Sequence, residues 1–209
     1  MTLHKFKQMK TIITIEGNIG AGKSTLISML KERHGDKMAF VEEQVDAWTE
    51  SGILELFYSD PVKYAFKFQC IVIETMMKAL EDEIKNGDKE IIICDRCPIT
   101  ALKVFSSNLL DDYILTQRQF DHLQKMLRGF NHPMAHVYLR TSPKTCHKRM
   151  KMRNRDAETN VTIEYLERLH TKHEQWIGGN SLILDGEVNF IGDEQIFNDY
   201  VNQILHLTQ

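Results

Sequence analysis

A chain of 209 residues with 42% hydrophobic and 26% charged side chains can bury a sizeable core and is too apolar for a disordered segment. Its net charge of −3 and pI near 6.3 argue against a general nucleic-acid binder, which carries a basic balance. No apolar run reaches the roughly 20 residues that span a bilayer, and Met1–Lys10 lacks the apolar stretch of a secretory signal and the Arg and Ser of a transit peptide. The expectation is therefore no membrane, no nucleic acid, and a place in the cytoplasm, or in an organelle matrix after processing. Cys70, Cys94, Cys97 and Cys146 are too few for a disulfide framework in a chain this long.

In chain order, the first element is a buried strand, Thr11–Ile15, rich in β-branched residues. It runs into Gly17, Asn18, Ile19, Gly20, Ala21, Gly22, Lys23, Ser24, which matches G-x-x-x-x-G-K-S/T at every fixed position. The glycines allow a tight turn whose N–H groups point inward and, with the helix that begins near Ser24, cradle a polyphosphate. Lys23 is expected on the β- and γ-phosphates, and the Ser24 hydroxyl on Mg²⁺. A plain glycine-rich turn would need neither of them.

A second strand covers Met38–Val41 and ends in Glu42 and Glu43, where a carboxylate can take the proton of an attacking hydroxyl. A long helix begins at Pro61, with Asp60 as N-cap, and stops at Asn86–Gly87. The strand Ile91–Cys94 leads into Asp95, as in a strand whose Asp helps to hold Mg²⁺, and Arg96 follows as a bidentate phosphate donor. A helix is expected over Gln117–Leu127 and a fourth strand over His136–Leu139. The helix opened by Ser142–Pro143 carries Lys148, Arg149, Lys151, Arg153 and Arg155. Arg149 and Arg153, four apart, share a face and suit a lid over phosphates better than a plain solvated surface, given the anion that the glycine loop supplies. A helix over Thr162–Trp176, a strand over Leu182–Leu184 and a helix over Glu194–His206 complete the chain. Buried strands alternating with helices predict a single α/β domain spanning 1–209. Its fold is the P-loop NTPase-type three-layer fold, with a five-stranded parallel sheet flanked by helices and an arginine-rich lid over about 147–160.

Taken in order, these segments resemble one family, the deoxyribonucleoside kinases, which includes insect multisubstrate, mitochondrial thymidine, deoxycytidine and deoxyguanosine kinases. The motifs that carry the resemblance are I-E-G-N-I-G-A-G-K-S-T, V-E-E-Q-V-x-x-W, F-K-F-Q, D-R-C, Y-L-R-T-S-P with R-x-K-x-R-x-R, E-Y-L-E-R-L-H-x-K-H-E-x-W and L-D-G-E-V-N-F. They span about Ile12 to Phe197. The resemblance implies transfer of the γ-phosphate of ATP, with Mg²⁺, to the 5′-hydroxyl of a deoxynucleoside. It implies that Glu43 is the base, that Asp95 is the acid linked to Mg²⁺ with Arg96 as its partner, and that Gln69 reads the nucleobase edge. Trp48 and Phe105 correspond to pocket aromatics, Phe105 stacking on the base. Tyr58 and Glu158 correspond to the pair on the sugar 3′-hydroxyl, and Arg149 and Arg153 to lid arginines. Asp185–Phe190 resembles the loop beside the adenine, and Thr25 completes the phosphate segment.

Val72, Met76 and Ala101 fall where pyrimidine-preferring members keep apolar residues, so thymidine and deoxycytidine are expected above purines. The deoxycytidine kinase type carries Arg and Asp at the positions of Met76 and Ala101. Gln44 stands where Pro is usual, Asp95 is shorter than the common Glu, and Cys97 replaces a usual Ser. Cys94 and Cys97, spaced C-x-x-C without a second ligand pair, read as packing residues. The family resemblance also implies a homodimer through the helix from Pro61 and the Gln117–Leu127 segment, and inhibition by a deoxynucleoside triphosphate.

Two other readings compete. A thymidylate-type monophosphate kinase would share the loop and the Asp–Arg pair but needs further cations for the acceptor's phosphate. A non-catalytic nucleotide-binding module would tolerate the loss of Glu43. A guanine-directed switch would carry N-K-x-D, which is absent.

Overall fold

The structure, a computed structural model, describes residues 10–155, 158 and 161–208. Its centre is a sheet of five parallel strands in the order β2-β3-β1-β4-β5. These are β1 (Thr11–Glu16), β2 (Met38–Val41), β3 (Ile91–Asp95), β4 (Met134–Arg140) and β5 (Leu182–Asp185). Parallel strands need crossover helices, and these cover both faces. On one face Ile13, Ile15, Val137 and Leu139 pack with Leu26 and Leu30 of α1 (Lys23–His34) and with Phe197 and Ile204 of α10 (Glu194–His206). On the other, Ile12, Ile92 and Cys94 pack with Leu80 of α4 (Pro61–Asn86). All five expected strands are present, each within two residues of its expected ends.

Several helix starts follow from local chemistry. Asp60 accepts a hydrogen bond from the Lys63 amide at 3.1 Å, with Pro61 at the first helical position of α4. Thr116 and Gln119 form a reciprocal capping box on α7 (Gln117–Met126). Ser142 caps α8 (Pro143–Arg153), and Thr162 caps α9 (Ile163–Ile177). α4 stops at Asn86–Gly87 as expected, but the glycine there is not left-handed. Gly87 has φ −68° and ψ 155°, an extended conformation. A Cβ there would lie 2.7 Å from the Glu83 carbonyl oxygen, so space rather than backbone sign calls for glycine. The Lys10 ammonium then donates to the carbonyls of Glu83 and Gly87 at 2.6 and 2.9 Å, the first of which also accepts from the Gly87 amide at 3.0 Å.

Three helical stretches are additions to the expected set. They are α2 (Val45–Glu50), α3 (Ile53–Ser59), and a segment that starts as α5 (Pro98–Thr100), widens to a π-helix (Ala101–Ser106) and closes as α6 (Ser107–Asp111). Helices this short are marginal alone. They persist because Trp48, Ile53, Phe57, Ala101 and Leu102 join Phe68, Val72 and Ile73 of α4 in a second buried cluster. Gly52, with φ 72°, makes the sharp corner between α2 and α3. Among the described residues no helix is long and apolar enough to cross a membrane.

Candidate active site

Ligands of parallel α/β sheets bind beyond the carboxyl ends of the strands, and there β1 passes into the glycine loop. Gly17, Gly20 and Gly22 have φ of 150°, 77° and 107°. A Cβ on Gly17 would approach the Leu139 carbonyl oxygen to 2.8 Å, and one on Gly20 would run into the carbonyl of Cys146. Side chains fasten the loop from behind. Asn18 donates to the Leu166 carbonyl at 2.8 Å and accepts from the Ile19 amide at 2.9 Å, and Thr141 donates to the Ala21 carbonyl at 3.0 Å. Asn18 and Ala21 thus act as buttresses behind the concave face.

Lys23 is buried, with its ammonium 3.3 Å from the Asn18 carbonyl. Burial, aided by the nearby Arg96 charge, lowers its pKa to about 8. Across the loop the Ser24 hydroxyl donates to Asp95 Oδ2 at 3.4 Å, while Asp95 Oδ1 is buried with no hydrogen-bond partner. An orphaned carboxylate oxygen beside a hydroxyl fits a hard cation's preference for oxygen donors.

Arg96 links this end to the next. Its backbone is left-handed, φ 63°, a strained state for a side-chain-bearing residue. The turn holds its guanidinium 2.7 Å from Glu43 Oε2 and 3.2 Å from the Gly17 carbonyl, with the cation 5.2 Å from the Phe105 ring centre. Burial is the largest influence and opposes the charge, but the carboxylates of Glu43, Asp95 and Glu16 together outweigh it and keep the pKa above the usual value. The π-helix turns Phe105 towards Arg96 and brings the Ser106 hydroxyl to Gln69 Oε1 at 3.1 Å, which leaves the Gln69 amide nitrogen as the free end.

Two cavities flank the loop. The larger, about 470 Å³, is bounded by Glu43, Trp48, Phe57, Tyr58, Phe68, Gln69, Val72, Arg96, Phe105 and Glu158, with Tyr165 and Arg155. The smaller, about 360 Å³, is bounded by Gly22, Thr25, Arg149 and the segment Val188–Ile191, which includes Phe190. Gly20, Lys23, Ser24 and Arg153 belong to both walls, so the two spaces meet over the loop. The larger cavity has an aromatic side, where Trp48 meets Phe68 edge-on and Phe57 stacks on Phe68 at 4.8 Å. Trp48 is pinned by its indole N–H, which donates to Thr75 at 3.1 Å. Burial first, and Glu158 second, push the Tyr58 hydroxyl up to about 12, so it stays a donor at neutral pH.

Most of the expected positions converge here, and a few sit apart. Met76 and Ala101 are buried in the apolar cluster behind the cavity wall and are not among its lining residues; only Val72 of the three apolar positions lines it. Asp185 is exposed and outside the smaller cavity; its Oδ1 accepts from the Glu187 amide at 2.8 Å. Of the lid over 147–160, residues 156, 157, 159 and 160 lie outside the described residues. The helix of the lid ends in a left-handed Asn154, with Arg153 Nη2 donating to both carboxylate oxygens of Glu158 at 2.6 Å and Arg149 donating to the Ala21 and Gly186 carbonyls. Phe57, Phe68, Tyr165, Ser106 and Thr75 were not expected. Phe68 stands beside Gln69 in the F-K-F-Q motif, and Tyr165 within the motif of α9; those neighbours were the available signal.

Comparison with known proteins gives the family. The family model described as Deoxynucleoside kinase matches residues 13–209. A probable deoxycytidine kinase of Fowlpox virus is 33% identical over 194 residues, covering 87% of this chain and 81% of its own. Deoxycytidine kinase of Homo sapiens is 28% identical, with 79% and 74% covered, and thymidine kinase of Ictalurid herpesvirus 1 is 33% identical with the same coverage. The chain belongs to the deoxynucleoside kinase family, whose enzymes phosphorylate deoxynucleosides with ATP as phosphate donor.

Proposed function

We propose that the larger cavity takes the deoxynucleoside, the smaller takes ATP, and the γ-phosphate passes in line between them over Gly20, Lys23 and Ser24. The observation that carries this reading is the shared wall of the two cavities, with the Glu43–Arg96 pair on the acceptor side. Glu43 accepts the proton of the 5′-hydroxyl as it attacks. Lys23, Arg96 and Arg153 stabilise the charge that spreads over the transferring group. Ser24 and Asp95 are the residues that would hold Mg²⁺, which neutralises the phosphates when bound.

Gln69 faces the base edge, Trp48, Phe57 and Phe105 enclose the base, and Tyr58 with Glu158 faces the sugar 3′-hydroxyl. Arg149, Arg153 and Phe190 face the ATP, beside the loop that begins at Asp185. Val72 on the cavity wall, with Met76 and Ala101 behind it, leaves the far end apolar, which supports a preference for thymidine and deoxycytidine over purines. The deoxycytidine and thymidine kinases among the relatives point the same way. The monophosphate kinase reading is disfavoured by the supply of cations: beyond Lys23, Arg96 and Arg153, which serve the transferring group, the described wall of the larger cavity adds Arg155 alone, and it pairs with Glu158.

The test is a steady-state panel of the four deoxynucleosides and thymidylate with ATP and Mg²⁺. Higher kcat/KM on deoxyadenosine or deoxyguanosine would overturn the pyrimidine preference. Higher kcat/KM on thymidylate would overturn the nucleoside assignment. The same proposal takes 1–209 as one domain, working in the cytoplasm or an organelle matrix. It also includes a homodimer through α4 and α7 and feedback inhibition by a deoxynucleoside triphosphate. Light scattering and inhibition by the triphosphates test those two parts.

A further inference from the structure

Outside the two cavities, three side chains of different chemistry converge beneath the root of the glycine loop. Glu16 ends β1, Cys97 stands two residues beyond the end of β3, and His136 lies on β4. The β1–β4 register sets Thr14 opposite His136 and Glu16 opposite Tyr138. Residues two apart on a strand share a face, so Thr14, Glu16 and His136 project together. One donor atom from each of Glu16, Cys97 and His136 lies within 4.8 Å of the other two, and among the described residues this is the one group of its kind.

The cluster has an unmet need. Glu16 and Cys97 are fully buried and His136 half-buried. Glu16 Oε2 accepts from the Thr100 hydroxyl at 2.8 Å, but Oε1 has no partner, and no ion pair to Glu16 exists among the described residues. A carboxylate oxygen buried and unpaired in a native interior signals a missing partner. The surroundings also hold a ligand ready. The Thr14 hydroxyl lies 2.8 Å from His136 Nδ1, and the Trp176 ring packs against the imidazole at 5.5 Å, fixing the ring in the manner of groups that orient a metal-bound histidine. Cys97 is also separated from Cys94, which packs into the apolar cluster with Ile12 and Ile92. The C-x-x-C spacing is therefore not the site; the fold gives Cys97 different partners.

We propose that Glu16, Cys97 and His136 bind a borderline transition-metal ion, zinc above all. Thiolate, imidazole and carboxylate are together the donor set of zinc and cobalt, whereas Mg²⁺ takes oxygen ligands. The site is thus chemically distinct from the Ser24–Asp95 pair. Tetrahedral zinc needs donors roughly 3.5 Å apart, so the three side chains close in by at most about an ångström. Binding displaces the protons of the thiol and the carboxyl, and the two resulting negative charges balance the ion. The fourth position falls to a water. Glu16 directly precedes Gly17 and Cys97 directly follows Arg96, so the ion ties β1, β3 and β4 together at the base of the phosphate loop.

The test uses the full chain, reduced and chelator-treated, with Co²⁺ as probe and no nucleotide present. The expected result is a thiolate-to-cobalt charge-transfer band in the near ultraviolet that saturates at one equivalent and is displaced by Zn²⁺ but not by Mg²⁺. Zinc at roughly a hundredfold excess over its Kd should raise Tm by about 5–10 °C. Cys97→Ser, nearly isosteric, should abolish the band although Cys70, Cys94 and Cys146 remain. His136→Ala should weaken cobalt binding by at least about tenfold, and it carries the test alone if Cys97→Ser fails to fold. No band with the unaltered chain, an unchanged band in Cys97→Ser, or unchanged affinity in His136→Ala would each overturn the site.

Discussion

The two cavities are built on opposite principles. The side proposed for ATP is made largely of backbone: glycines at positive φ, with carbonyls of Leu139 and Cys146 pressed close behind them. The nucleoside side is made of side chains from α2, α3, α4, the π-helix and α9, whose positions depend on packing between helices. Backbone recognition has to be continuous in sequence, because neighbouring amides must point at one phosphate group. Side-chain recognition can be collected from anywhere. The donor side should therefore fail uniformly for every nucleoside, and the acceptor side selectively, step by step or base by base.

The largest effect is expected at the acceptor side's chemical end. Glu43→Gln keeps the size of the side chain and the contact with Arg96 but removes the base. It should lower kcat by roughly 10³-fold while ATP binding measured by calorimetry stays intact. Turnover near that of the unaltered enzyme would discard Glu43 as the base. The donor-side counterpart is Gly20→Ala. The added Cβ meets the Cys146 carbonyl and forces a residue at φ 77° out of its conformation. Displacing the loop by about an ångström should cost roughly 10²-fold in kcat/KM. That loss should be the same for all nucleosides; a loss confined to one base would break the division between the two sides.

A smaller and selective effect is expected from Gln69→Leu. It removes the amide that faces the base and leaves the Ser106 hydroxyl without its acceptor. Loss of one buried hydrogen-bonding pair corresponds to roughly 10- to 100-fold in kcat/KM for the nucleoside. The KM for ATP should be unchanged. Equal losses on both substrates would mean that the residue supports the fold and not recognition.

The same contrast explains what was legible in the sequence. Gly17–Ser24, the strand ends at Glu43 and Asp95, and the N-cap at Asp60 are local patterns, each with a local physical cause. The sheet followed from β-branched runs, which need no knowledge of distant contacts. The helices α2, α3 and the π-helix did not show, because they are too short to be stable alone and exist through contacts with α4. Phe57, Phe68, Thr75 and Ser106 went unseen with them, since their roles arise from those contacts. Met76 and Ala101 are assigned to the base by family position; in the structure they share a buried apolar cluster with Val72, which alone of the three lines the larger cavity. Glu16, Cys97 and His136 lie far apart in sequence, and only the parallel packing of β1, β3 and β4 brings them together.

The mildest prediction tests the donor side through its one titrating group. Burial holds the Lys23 pKa near 8 in the free protein, below the ordinary 10.5. The unfolded chain therefore binds a proton between pH 8 and 10.5 that the folded chain has shed, so this group's penalty on folding is complete below pH 8 and vanishes as pH rises to 10.5. ATP reverses the balance, because its phosphates favour the ammonium form and raise the pKa again. Above pH 8 ATP binding must draw a proton from solvent, while below it the lysine is already charged. The Kd for ATP should accordingly rise about tenfold between pH 7 and pH 9. At pH 9 calorimetry in buffers of different ionisation heat should find close to one proton taken up per ATP, and near pH 6.5 almost none. A Kd that stays flat over this range would mean that the Lys23 ammonium keeps its proton in the empty loop and that Asp95 and Glu43 outweigh the cost of its burial.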